Sequence, residues 1–124
     1  MKRLDVKNAR SGETVAPNAY LADNPLTRLR GLLGRASLPA GEAMVIRPSS
    51  SIHTAFMRFA IDVIYLNKQD EVVKVVPNLA PFRLSAARGA HTVIEMSAGA
   101  TAALDLRQGD RLMMSPRDEE RAGR

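Results

Sequence analysis

The run SIHTAFMRFAIDVIYL, from Ser51 to Leu66, sets a histidine, an arginine and an aspartate among residues that otherwise read as buried core. His53 is the kind of group that serves as acid, base or ligand near neutral pH. Arg58 can pair with a carboxylate or grip an anion through its planar fork of donors. Asp62 is a carboxylate within an apolar strand, where lack of a partner would be expensive. A second embedded carboxylate, Glu95, lies in HTVIEMS. The candidate acid–base set is therefore His53, Asp62 and Glu95, and the candidate ligand-binding set is His53, Thr54, Arg58, Asp62 and Glu95. A buried polar network that fixes strand register is the competing reading of the same residues.

Side chains on a strand alternate between faces. Phe59, Ile61, Val63 and Tyr65 then share one face, and Ala60, Asp62, Ile64 and Leu66 the other. If the extended backbone reaches back far enough, Arg58 falls on the side of Asp62 and could pair with it, with His53 held above by a loop. In HTVIEMS, Glu95 shares a face with His91 and Val93. No spacing of His53, Asp62, His91 and Glu95 matches a metal-ligand motif, and there is neither a G-x-S-x-G elbow nor a phosphate-cradling glycine loop. No metal and no cofactor is expected. The serines before His53 supply hydroxyls near an imidazole, the minimum for a nucleophile and its base, but the pattern is nearly unspecific.

The elements that must carry these groups are mostly short strands. Arg3–Asn8 alternates, ARSGE turns, and ETVAPNAYLA returns, with Pro17 marking an edge or a bend. DNPLTRLRGLLGR is the one good helix pattern: Pro25 suits the first helical position, Leu26, Leu29 and Leu33 share a face, and Gly34 can end it. EAMVIRP is a strand and the serines after it a loop. FAIDVIYL and EVVKVVPNL form the clearest hairpin, around NKQD. PFRLSAARGA reads as irregular, HTVIEMS as a strand, AGATAALDL as a helical turn or two, and RQGDRLMMSP as a turn into a last strand in which Asp110 bonds local backbone. No internal repeat is apparent. These elements predict an α+β fold, a mostly antiparallel curled sheet or partly open β-barrel with one main helix, in a single domain over residues 1–116. Residues 117–124 read as a charged tail.

The chain has 124 residues, no cysteine and a net charge of +5. That is one domain's worth of core, with no disulfide, thiolate metal site or cysteine nucleophile. The start lacks the apolar stretch of a signal peptide and no segment is long enough to span a bilayer, so a cytoplasmic protein without membrane contact is expected. The basic balance raises the odds of an anionic partner. The arginines are scattered, apart from Arg28, Arg30 and Arg35, and aromatics are not interleaved with them, so no stacking platform for nucleic acid is visible.

The segments RLRGLLGR, SIHTAFMRFAIDVIYLNKQDEVVKVVPNLAPFR and HTVIEMSAGATAALDLRQGDRL resemble, in that order, an uncharacterised bacterial and archaeal family known as domain of unknown function 192. The resemblance runs from about Leu21 to Met113 and rests on His53, Thr54, Met57, Asp62, Glu95, Gly99 and Asp110. Members often carry cysteine where this chain has Ser51 and proline where it has Ala60. The resemblance implies a compact, curled β-sheet with short helices and no agreed activity. Function therefore rests on the residues. First comes a binding domain that holds a small polar or anionic ligand, or a partner peptide, at a cleft near His53. Second is a small hydrolase-like enzyme that uses His53 with Asp62 or Glu95. The third is a nucleic-acid or anionic-surface protein.

Overall fold

The computed structural model describes residues 2–23, 42–54 and 57–117. Its strands are β1 (Lys2–Asn8), β2 (Thr14–Ala22), β3 (Ala43–Ile46), β4 (Ser51–His53), β5 (Ile61–Leu66), β6 (Val72–Leu79), β7 (Leu84–Ala86), β8 (Thr92–Ser97) and β9 (Leu112–Pro116), with a 3-10 turn at Ala100–Ala103. Seven strands form one sheet in the order β6-β5-β8-β3-β2-β1-β9, and β4 and β7 form a separate two-stranded ribbon. All ladders are antiparallel except β2 with β3. A parallel pair needs a connection of a dozen or more residues, and the stretch of chain between β2 and β3 is long enough for one.

The expected α+β class is corrected. The regular structure of the described residues is nearly all strand, with no α-helix, and forms a curled half-barrel. The helix read over residues 25–34 lies outside the described residues, as does most of the charged tail. The β content was underestimated because SIH and LSA, read as loop and irregular chain, are extended and pair with each other.

The half-barrel closes at one end. Glu71 and Arg111 bridge the two edge strands, and Val72 N–H donates to Asp110 O at 2.8 Å while Leu112 N–H donates to Asp70 O at 2.9 Å. The rest of edge strand β6 carries Lys74 and Pro77, residues that discourage pairing with another chain.

Alternation splits the core into two layers. Leu4, Val6, Val45, Ile64, Leu66, Ile94, Met96 and Leu112 fill one face of the sheet. Met44, Ile46, Met57, Ile61, Val63, Tyr65 and Val93 fill the other, with Ile52 of the ribbon packed on them. Full burial of one such aliphatic side chain stabilises by about 1.5–3 kcal/mol, so the layers, not the polar groups, hold the sheet.

An internal repeat, not apparent in the linear sequence, emerges in the two hairpins. In β1–β2 the register slips between Leu4 and Val6, and Asn18 N–H donates to Asp5 Oδ1 at 2.9 Å. In β5–β6 it slips between Ile61 and Val63, and Asn78 N–H donates to Asp62 Oδ1 at 2.9 Å. Both asparagines follow a proline and adopt left-handed φ, 59° and 52°. Leu-Asp-Val faces Ala-Pro-Asn-Ala in one hairpin, and Ile-Asp-Val faces Val-Pro-Asn-Leu in the other. Proline lacks an N–H and the bulged asparagine is out of the ladder, so a carboxylate takes the stray donor.

Candidate functional site

Asp62 is fully buried and lies on the inner face with Ile64 and Leu66. Its carboxylate accepts from Asn78 N–H (2.9 Å), Gly99 N–H (3.1 Å), Thr101 N–H (2.9 Å) and Thr101 Oγ1–H (2.6 Å). Burial alone would raise its pKa, but these bonds outweigh it and hold the carboxyl below the usual range. Gly99, at φ 91°, supplies the left-handed backbone that aims its N–H and starts the 3-10 turn. Arg58 does not pair with Asp62; it is exposed. The carboxylate works as a clasp between β5, β6 and the 3-10 turn.

Glu95 is also buried, at 6% exposure, but on the opposite face of the same sheet. It lies in a row of directly opposed residues that crosses six strands: Arg3, Tyr20, Met44, Glu95, Val63 and Val76. Its neighbours on both sides are thus apolar, and among the described residues no hydrogen bond or ion pair reaches its carboxylate. Burial pushes its pKa up to about 7. Arg3, at the end of the row, stacks its guanidinium 4.3 Å from the Tyr20 ring centroid. Tyr65, diagonal to Glu95, donates its hydroxyl to Ser85 Oγ at 2.8 Å. Burial raises the Tyr65 hydroxyl as well, with the charge of Glu95 a smaller contribution.

The ribbon lies over this layer. Ile52 and Ser85 face inward as a cross-strand pair, whereas Ser51, His53, Leu84 and Ala86 face out. Thr54 follows β4, is fully buried and anchors the loop before β7. It donates N–H to Arg83 O (2.8 Å) and Oγ1–H to Ala80 O (2.6 Å), and accepts from Phe82 N–H (2.9 Å) and Arg83 N–H (2.8 Å). These bonds fix Phe82 in left-handed φ, 59°, with its side chain 65% exposed. Leu84, opposite His53, is 84% exposed. For a bulky residue such a φ costs of order 1–3 kcal/mol and marks a position determined by its surroundings.

The sequence-predicted site is therefore divided three ways. His53 and Arg58 are outside, Thr54 and Asp62 are engaged in internal hydrogen bonds, and Glu95 is buried on the other face from Asp62. Among the described residues no group of three or more His, Cys, Asp or Glu could hold a metal ion. Asp110 bonds the local N–H of Arg107 (2.9 Å), but also Asn8 Nδ2 (2.9 Å) and Arg10 Nε (2.7 Å), which couple the last turn to β1. Arg10 chiefly holds its carboxyl far below the ordinary range.

Sequence reasoning missed Phe82, Leu84 and Ser85, in a segment read as irregular. One signal could have found them. Residues 47–61 and 72–94 hold Arg47, Arg58, Lys74, Arg83 and Arg88 but no aspartate or glutamate. The cations flank the ribbon, and all 13 carboxylates of the chain lie elsewhere.

Among the described residues the fold is a β half-barrel sheet with one layer covered by a short ribbon. The family model for domain of unknown function 192, described as "Uncharacterized ACR", matches residues 6–114, and the chain belongs to this family. It is 35% identical over 111 residues to the UPF0127 protein PF1050 of Pyrococcus furiosus, covering 85% of this chain and 93% of that protein. Two crystal structures share the fold. One, from Sinorhizobium meliloti 1021 and provisionally described as a transcription regulator, gives a TM-score of 0.77 at 22% identity over 91% of this chain and 92% of that one. The other, a protein of unknown function from Novosphingobium aromaticivorans, gives 0.75 at 20% identity over 90% and 83%. No helix among the described residues is long and apolar enough to cross a membrane, which says nothing of a β-barrel crossing.

Proposed function

We propose that this is a binding domain for an acidic protein segment, with the outer face of the β4–β7 ribbon as its contact surface. The observation that carries the reading is a large apolar side chain, Leu84, held 84% exposed on a part of the chain that has cations and no carboxylates. Apolar surface rimmed by polar groups marks interaction sites, and arginine is the side chain best suited to grip carboxylates from such a rim. His53 lies beside Leu84 and adds an imidazole donor; Arg58 and Arg83 are exposed nearby in sequence. Thr54 takes part as the anchor of the loop rather than as a contact. Asp62 and Glu95 have no place in the contact.

The acid–base alternative gains no support, since His53 faces outward while Asp62 is saturated with donors and Glu95 lies within an apolar layer. Nucleic acid remains an outcome of the test. Poly-L-glutamate titrated into the labelled protein should shift ribbon resonances, weaken as salt rises, and lose affinity at least about tenfold in Arg58→Glu with Arg83→Glu. Leu84→Ser should weaken a Glu/Leu copolymer more than poly-L-glutamate. Tighter binding of a single-stranded oligonucleotide at the same salt, or no shift at the ribbon, would overturn the reading.

A further inference from the structure

We propose that protonation of Glu95 controls how firmly the β4–β7 ribbon is seated on the sheet, and so regulates the docking face. The inference rests on the reading above for its meaning, though not for its test.

The ribbon shares no ladder with the main sheet. It is held by Ile52 packed into the outer layer, by Tyr65 Oη donating to Ser85 Oγ, by Lys74 Nζ donating to Ala86 O at 2.9 Å, and by the loop anchored through Thr54. The layer beneath it contains Glu95. From β3 the facing groups are Met44, with Glu42 and Ile46 diagonal. On the β5 side they are Val63, with Ile61 and Tyr65 diagonal, and along β8 they are Val93 and Ser97. Met57 and Phe59 pack on the same layer. The titratable and charged groups around Glu95 are thus Glu42 and Tyr65, then His91 before β8 on the same face, Tyr20 and Arg3 farther along the row, and Lys74, 6.0 Å from the Tyr65 ring centroid. Lys74 is committed to Ala86 O and Arg3 to the Tyr20 ring, so neither neutralises Glu95.

A neutral carboxylic acid sits in such a layer at modest cost; a carboxylate requires water or a cation. The sheet beneath is tied by continuous ladders, whereas the ribbon is a small unit held mostly by side chains, with one backbone bond beside it, from Ser49 N–H to His91 O at 2.9 Å. It is the part that can yield and admit water. Burial alone, with no partner, brings the Glu95 transition to about 7. The proton is bound more tightly in the seated state, so seating is favoured at low pH and lost as pH rises through that value.

Amide hydrogen exchange, with intrinsic rates divided out, tests this. The reporters are Thr54 N–H and Ala87 N–H, bonded to Arg83 O and Ser50 O at the two ends of the ribbon, against Asn8 N–H and Leu112 N–H in the barrel. Between pH 6 and 8 the ribbon protection should fall about tenfold in the wild type, stay level in Glu95→Gln, and leave the barrel amides within about twofold. A flat ribbon profile, an equal fall in Glu95→Gln, or a parallel fall of the barrel amides would overturn it. Tyr65→Phe is the second variant: it should lower ribbon protection at both pH values and keep the pH dependence, and loss of that dependence would make Tyr65 the responsible group. No partner is present in this experiment, so its failure leaves the docking reading standing, and failure of docking appears only in the poly-L-glutamate titration.

Discussion

Asp62 and Glu95 lie on adjacent strands, and Asp62 is directly opposite Met96, the residue after Glu95. One step of register puts them on opposite faces of one sheet, and their environments differ completely. Asp62 is saturated by Asn78, Gly99 and Thr101, while Glu95 has Met44 and Val63 for neighbours. Burial costs both, but only one is compensated. A carboxylate matched by preplaced donors is a structural clasp; one retained without them is a group whose charge the fold works against, and such groups concentrate at functional positions.

The largest expected effect is at the clasp. Asp62→Ala should destabilise by about 3 kcal/mol in urea unfolding at pH 7, since it strands the buried N–H and hydroxyl of Thr101 together with the partly buried N–H groups of Asn78 and Gly99. The loss should shrink in acid: Asp62 is held below its ordinary value, so its contribution is present above that value and disappears as pH falls through the lowered one. Glu95→Gln should do the reverse. Its pKa is raised from 4.5 to about 7, so the wild-type penalty is absent below 4.5, grows between the two values and is complete above 7. The variant should therefore be more stable than wild type by up to about 3 kcal/mol at pH 8 and close to it at pH 4. Tyr65→Phe should cost about 1 kcal/mol by removing the bond to Ser85. His53→Ala, on the exposed face, should stay within about 0.5 kcal/mol in thermal unfolding. A loss above about 2 kcal/mol there would place His53 in a buried network and dissolve the contrast between inner and outer groups.

Much of the main sheet was legible because its strands are long enough to alternate. Both faces of FAIDVIYL and the oddity of Glu95 could be read from period two alone. The ribbon was not, since three residues in SIH and LSA carry no period. Its pairing depends on Thr54 anchoring a loop some thirty positions away in sequence. Nor could spacing show that Asp62 meets Thr101 rather than Arg58, because the donors come from a turn beyond β8. The repeated hairpin was hidden by unequal loops: Asp5 and Asn18 are 13 residues apart, Asp62 and Asn78 are 16 apart. The α+β assignment failed because one strong helical pattern was weighted above several weak extended ones.

The most direct measurement is a carboxyl carbon-13 NMR titration that follows Asp62 and Glu95 in the same sample. Glu95 should titrate near 7 and Asp62 below the ordinary aspartate range. A Glu95 midpoint near 4.5, the ordinary value, would mean that its carboxylate is hydrated or paired, and the contrast between the two faces would fail.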